Sequence, residues 1–284
     1  MRRTHYTTEI RVLLCEACGA PIEAAPAGGH VACAFCRAQN MVSLRPRASA
    51  AVPPPSMPID ENERLRRLRM QDGRELSPPS SLASLVQGGG FHPAKVEEAF
   101  YIYQATRREV MTTHSPEAAE RLYFLALMFN THLGLSHDDS RRRALLETSL
   151  ETLSLPRHVQ VLRCLLASAA AKEGDLSSAE QWIGPCNPRS DDIEADSGWR
   201  CARAFIDTAR GDFRGVIAAL GHIDDGVPIA DAWDPSAAVF RANALERLGD
   251  LNGAVAALRA RMGKESQAGR AIMAKVIEAH PHLA

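Results

Sequence analysis

Three stretches decide how this chain folds: Ala171-Lys-Glu-Gly-Asp-Leu-Ser-Ser-Ala-Glu180, Ala209-Arg-Gly-Asp-Phe-Arg-Gly-Val-Ile217 and Arg247-Leu-Gly-Asp-Leu-Asn-Gly-Ala-Val255. Their glycines, Gly174, Gly211 and Gly249, lie 37 and 38 residues apart. Around each Gly-Asp pair the apolar residues recur at the same offsets. Twelve residues before the glycine stand Leu162, Trp199 and Ala237; nine before, Leu165, Ala202 and Phe240; five before, Ala169, Ile206 and Ala244. Seven before, all three are alanine, Ala167, Ala204 and Ala242. After the turn come Leu176, Phe213 and Leu251, then Ala179, Val216 and Ala254, then Ile183, Leu220 and Leu258. This periodicity describes pairs of amphipathic helices joined by a tight turn. The glycine supplies the left-handed residue that ends the first helix, and the aspartate caps the second. The repeated alanine lets the two helices approach closely.

These units resemble tetratricopeptide repeats. The resemblance covers about residues 118–279 and implies a solenoid of antiparallel helix pairs whose inner face binds peptides or protein segments. By that analogy Ser168, Lys172, Phe205, Asn243 and Arg247 line the inner face. The period exceeds the usual thirty-four residues of the family, and its large aromatics are here mostly Ala or Leu. Cys164 and Cys201 occupy equivalent positions on neighbouring first helices and are read as reduced, packed thiols; an approach of the two on the inner face is the alternative.

Upstream the pattern continues with less regularity. Leu122, Leu125 and Phe129 repeat the offsets before Gly134, which is read as a degenerate turn running through His137-Asp-Asp139, with a second helix over Arg141–Leu153. Ser115-Pro116-Glu117 is a helix start, with a capping Ser, Pro at the first position and an acid in the first turn. Lys95–Thr113 reads as one further helix. At the other end, Glu265–Ala279 is expected to be a single capping helix with one polar face.

The segment 45–94 is different material. Ala48 to Pro58 is rich in Pro, Ala and Ser, and Ser77-Pro-Pro-Ser-Ser81 and Gly88-Gly-Gly90 follow. It reads as a linker. A short charged helix near 60–71 interrupts it, with acids early and arginines late, as the helix dipole favours. Its apolar residues, Leu65, Leu68 and Met70, are too few to make a core, and the expectation is a solvated helix.

Residues 9–44 carry the only chemistry the sequence spells out. Cys15-Glu-Ala-Cys18 and Cys33-Ala-Phe-Cys36 are two Cys-x-x-Cys pairs separated by fourteen residues. Four thiolates from two knuckles fit one tetrahedral zinc ion. About thirty residues bury too little apolar surface to fold alone, and a structural metal supplies the difference. An iron centre would use the same ligands, and paired disulfides are the other alternative. The segment resembles the zinc-ribbon family through Cys-x-x-Cys-Gly-Ala-Pro-Ile, a Gly-containing turn, and Val-x-Cys-x-x-Cys-x-x-x-Asn. That resemblance implies a small antiparallel sheet with one structural zinc on Cys15, Cys18, Cys33 and Cys36. Arg37 stands where a glycine often follows the last cysteine.

Composition limits the remaining possibilities. The 284 residues are 45% apolar and 24% charged, with a net charge of −1, so no global field points to a polyanion. Seven cysteines with a metal-like cluster suggest a reducing compartment. With no apolar leader and no run of about eighteen apolar residues, a cytoplasmic location, in a bacterial source, is the expectation. No nucleophile elbow, phosphate loop, dinucleotide fingerprint or His-Glu-x-x-His motif is present, and no small-molecule substrate is implied. The expectation is a mostly α, non-enzymatic adaptor or scaffold that binds protein partners. The alternative is a nucleic-acid-associated regulator whose ribbon touches phosphates through Arg2, Arg3, Arg11, Arg37, Arg45 and Arg47.

Overall fold

The structure is a computed structural model, which describes residues 12–14, 21–23, 29–34, 36–42, 60–71, 78–87, 90–222 and 225–263. The protein is mostly α-helical. It divides into two compact units, Met1–Ile59 and Asp60–Ala284.

In the first unit, β1 (Val12–Leu14) pairs antiparallel with β2 (Pro21–Glu23), and β3 (Gly29–Ala32) with β4 (Gln39–Val42). Each hairpin brackets one Cys-x-x-Cys pair. Cys15 and Cys18 lie outside the described residues.

The second unit is built of helices α1 (Glu61–Arg69), α2 (Val96–Thr113), α3 (Pro116–Leu135), α4 (Asp139–Thr152), α5 (Pro156–Lys172), α6 (Leu176–Ile183), α7 (Ile193–Arg210), α8 (Phe213–Leu220), α9 (Asp234–Arg247) and α10 (Leu251–Met262). Between α1 and α2, Val86–Gln87 (β5) and Gly90–Phe91 (β6) form a further antiparallel pair. Successive helices pack on each other from α2 to α10, and α7 also packs against both α5 and α9. The capping helix expected over Glu265–Ala279 lies outside the described residues.

The three Gly-Asp turns are one hydrogen-bonded motif used three times. Gly174, Gly211 and Gly249 have φ of +81°, +76° and +89°. The following aspartate donates its N–H to the carbonyl four residues before the glycine: Asp175 to Ala170 at 2.9 Å, Asp212 to Asp207 at 2.8 Å and Asp250 to Leu245 at 2.8 Å. Its carboxylate then caps the next helix, accepting from the N–H of Ser178, Gly215 and Gly253 at 3.0, 2.9 and 2.8 Å. An orphan carbonyl of the first helix and an orphan N–H of the second are thus satisfied within a connection of two or three residues. The alanines seven residues before each glycine are fully buried. Ala167 shares its cluster with Ala179, Ala204 with Val216, and Ala242 with Ala254. A larger side chain at these places would force the paired helices apart.

The upstream turn is built differently from the expectation. α3 runs past Gly134, and His137 takes the left-handed residue at φ +58°. Asp138 N–H donates to Leu133 O at 2.9 Å, and Asp138 Oδ1 accepts from Arg141 N–H at 3.2 Å. His137-Asp138 therefore stands where the later units have Gly-Asp, and it restores the spacing of 37 residues to Gly174. Here the alanine contact is replaced by a polar one. Asn130, seven residues before His137, accepts from Nε of Arg142, five residues after it, at 2.8 Å.

The charged helix α1 belongs to the helical unit, whereas the sequence suggested a solvated helix within a linker. Leu68 is fully buried against Ile193 and Ala230, with Trp233 packed alongside. Arg64, 2% exposed, reaches Asp196 Oδ1 at 2.7 Å and Ser190 O at 3.0 Å. Asp196 is fully buried at the start of α7, and its other oxygen accepts from Arg200 Nε at 2.6 Å. Two more anchors flank this ion triad: Arg69 donates to Gly226 O at 3.1 Å, and Gln71 Nε2 donates to Asp191 O at 2.8 Å. The Glu61 carboxyl is held down at about 2 by hydrogen bonding to Arg64, against burial, with help from Arg189. Leu82, Leu85 and Phe91, also assigned to the linker from sequence, belong to the main core, and the Phe91 ring lies 4.6 Å from that of Phe129.

Candidate functional site

Two of the four cysteines read from sequence as zinc ligands, Cys33 and Cys36, are among the described residues. Cys33 and Cys36 sit in the turn between β3 and β4. Cys33 N–H donates to Ala38 O and Cys33 O accepts from Arg37 N–H, both at 2.9 Å. Arg37 has φ +62°, so an arginine fills the left-handed position where a glycine is usual, at a cost of about 1–2 kcal/mol. Asn40, buried, closes the loop by donating Nδ2 to Ala38 O at 2.9 Å. Cys33 is buried and Cys36 exposed. Two thiols in one tight, left-handed-closed turn have the donor chemistry of half a tetrahedral thiolate site. Among the described residues no group of three or more His, Cys, Asp or Glu side chains is gathered as metal ligands would be, and two members of the quartet lie outside them.

The five residues assigned to an inner face from sequence occupy equivalent places on successive first helices of the repeat. Ser168, Phe205 and Asn243 each lie six residues before a turn glycine, and Lys172 and Arg247 two before. Ser168 Oγ donates to Cys164 O at 2.9 Å within α5. Phe205 is half-buried, with its ring 4.9 Å from that of Phe240 on α9. Asn243 is also half-buried. Lys172 and Arg247 are exposed; Lys172 lies 3.4 Å from Asp139 Oδ2, and the Arg247 guanidinium stands 5.8 Å from the Phe213 ring centre. These contacts bring Phe205 to α9, Lys172 to α4 and Arg247 to α8; they do not join the five into one cluster.

A concave feature that sequence reasoning missed lies at the other end of the helical unit. A cleft of about 660 Å³ opens between α2, α3 and α4. Phe100, Tyr103, Phe129 and Leu145 form its apolar wall, with His132 and Arg141 among its polar lining. Tyr103 is fixed by hydrogen bonding its hydroxyl with Ser149 Oγ at 2.8 Å. The volume falls in the range of ligand and peptide sites. Its only sequence signal was the spacing of Val96, Phe100 and Tyr103 along one helix face.

A buried polar cluster joins α3, α5 and α7. His158 is fully buried, stacks on Tyr123 with ring centres 4.1 Å apart, and has Nε2 3.2 Å from Glu120 Oε2 without hydrogen-bond alignment. Burial holds this imidazole below its ordinary value of 6.5, against the pull of the Glu120 charge. Tyr123 donates to Glu194 Oε2 at 3.1 Å, and burial raises the Glu194 carboxyl. The cluster has no open face for a substrate at His158, so it is a packing element.

His137 and Asp138 are the turn and cap described above. The three scattered cysteines are all buried. Cys201 contacts the Trp233 carbonyl, Sγ to O 3.8 Å, and its thiol is pushed up to about 12 by burial. Cys164 and Cys201 are free, buried thiols, and Cys164 shares its apolar cluster with Cys186 while Cys201 belongs to the next one.

No helix among the described residues is long and apolar enough to cross a membrane. Comparison of the chain with protein-family models, with curated proteins and with solved structures finds no match.

Proposed function

We propose that this chain is a non-enzymatic adaptor: a tetratricopeptide-like solenoid that binds protein segments, joined to a zinc ribbon held by Cys15, Cys18, Cys33 and Cys36. The observation that carries the reading is the recurrence of one turn motif, with one hydrogen-bond pattern, at 137–138, 174–175, 211–212 and 249–250. Helix pairs that contact mainly their neighbours make extended surfaces suited to other chains. The zinc would serve as a structural staple, because four thiolates leave it no open coordination position.

Affinity capture with the full-length chain from its native cells, followed by crosslinking and mass spectrometry, tests the reading. Two variants are compared with the wild type, Lys172→Glu/Arg247→Glu and Phe100→Ser/Arg141→Glu, the second altering the α2–α4 cleft. The adaptor reading predicts a stoichiometric partner, crosslinked to the helical unit and lost in one of the two variants. A chain that stays monomeric with no reproducible crosslinked partner would overturn it.

A further inference from the structure

Cys164 and Cys186 are far apart in sequence, yet the fold brings them into one buried cluster. Cys186 lies in the connection between α6 and α7. Its Sγ is 3.9 Å from Gln160 O, one helical turn before Cys164 on the same face of α5. Helical side chains lean toward the N-terminus, so the Cys164 thiol points to the turn that Cys186 covers. The connection is pinned there. Gln160 Nε2 donates to Asn187 O at 2.9 Å, and Gln160 Oε1 accepts from Asn187 N–H at 3.1 Å. Cys186 is thus held over Cys164 by a two-way backbone clamp.

We propose that Cys164 and Cys186 are a redox modification site, oxidised by a hydroperoxide to an intramolecular disulfide that ties α5 to the α6–α7 connection. Cys186 is the attacking residue, 8% exposed where Cys164 is fully buried. Its thiolate attacks the peroxide O–O bond, forming a sulfenic acid and releasing hydroxide, or an alkoxide from an organic peroxide. The Cys164 sulfur then attacks the sulfenic sulfur. The S–S bond forms, the S–O bond breaks, and the departing hydroxide takes the Cys164 proton as water. Two thiols lose two electrons and the peroxide gains them. The electrostatics agree with these roles: the adjacent Cys164 thiol lowers Cys186, against burial and with help from the Arg163 charge. Cys164 is raised by Cys186 and by burial, as suits the thiol that stays protonated until the second step. The same connection presents the Ser190 and Asp191 carbonyls that hold Arg64 and Gln71, so the modification falls beside the docking site of α1.

The test is peptide mapping of the full-length wild-type chain. Reductant is removed, hydrogen peroxide is added, remaining thiols are alkylated in urea, and the digest is analysed without reduction. The expected product is a crosslinked peptide pair joining Cys164 to Cys186, two hydrogen masses lighter than its parts and abolished by phosphine. Cys201 should stay reduced and serves as the internal control. In Cys164→Ser, Cys186 should instead be trapped by dimedone as a sulfenic acid. The proposal is overturned if Cys164 and Cys186 are both recovered alkylated while the N-terminal cysteines have oxidised, or if Cys186 is found joined to any other cysteine.

Discussion

Replacing Asp196 by alanine should be among the most damaging single changes in the helical unit. Its carboxylate is fully buried in the first turn of α7 and accepts from Arg64 at 2.7 Å and from Arg200 at 2.6 Å. Each hydrogen bond to a charged group contributes about 1.5–3 kcal/mol. Removing one side of a buried pair costs about 3–5 kcal/mol, because the remaining charges stay in low dielectric. Two features limit the loss: Arg200 keeps Ala219 O at 2.8 Å, and Arg64 keeps Ser190 O and Glu61. The expected cost is about 3–4 kcal/mol, which at this size lowers Tm by roughly 10 °C. Arg64→Ala leaves Asp196 paired with Arg200 and should cost about 2 kcal/mol, together with release of α1. In the double variant the two costs should fall short of additive by about 1 kcal/mol or more, since the second change removes a charge already orphaned. Urea unfolding followed by far-UV circular dichroism gives these values, and limited trypsin digestion at Arg66 and Arg67 reports α1 docking. Glu63→Gln, which alters only exposed pairs with those arginines, should unfold at the wild-type midpoint. An Asp196→Ala chain within 1 kcal/mol of wild type, with α1 still protected, would refute the reasoning.

Other consequences are as specific. Gly211→Ala meets open space but must adopt φ +76°, so a net cost of about 1 kcal/mol is expected in urea unfolding. His137→Gly should be tolerated, whereas His137→Val, β-branched at φ +58°, should cost at least about 1 kcal/mol. Ala204→Leu, placed where Ala204 and Val216 share a fully buried cluster, should cost about 1–3 kcal/mol by overpacking. For His158 the folded value lies below the unfolded one. Its stabilising contribution is therefore whole above pH 6.5 and lost as pH falls through the depressed value. Glu194, raised by burial, acts in the opposite direction, so the difference between wild type and His158→Phe in urea midpoints from pH 7 to 5 isolates the histidine. The variant's midpoint should fall less steeply.

The later repeats were legible because their signal is local. A glycine forced to positive φ, followed by a capping aspartate, leaves the same trace each time, and the alanine seven residues before it marks the contact. The first turn was misread by three residues because histidine replaces glycine at the left-handed position, and Gly134 drew the alignment to itself. The Asn130–Arg142 hydrogen bond also removes the alanine that would have flagged the register. α1 was unreadable for another reason. Its own window holds only Leu65 and Leu68 as good apolar anchors. The energy that docks it comes from Asp196, 132 positions away, and from Ile193, Ala230 and Trp233. Cys186 was passed over because a loop cysteine has no periodicity; only the clamp at Gln160 places it. Of the four cysteines read as zinc ligands from their spacing, the structure describes the turn that carries Cys33 and Cys36.

Metal content bears most directly on the two-module account. Elemental analysis of the purified full-length chain should give about one zinc per chain, reduced to background in Cys33→Ser. Chelation should release that zinc while the helical circular dichroism of the body stays nearly unchanged, because the clusters described in the body are built from its own residues. A chain that carries no zinc when prepared under reducing conditions, or that loses its helical signal together with the metal, would contradict the account.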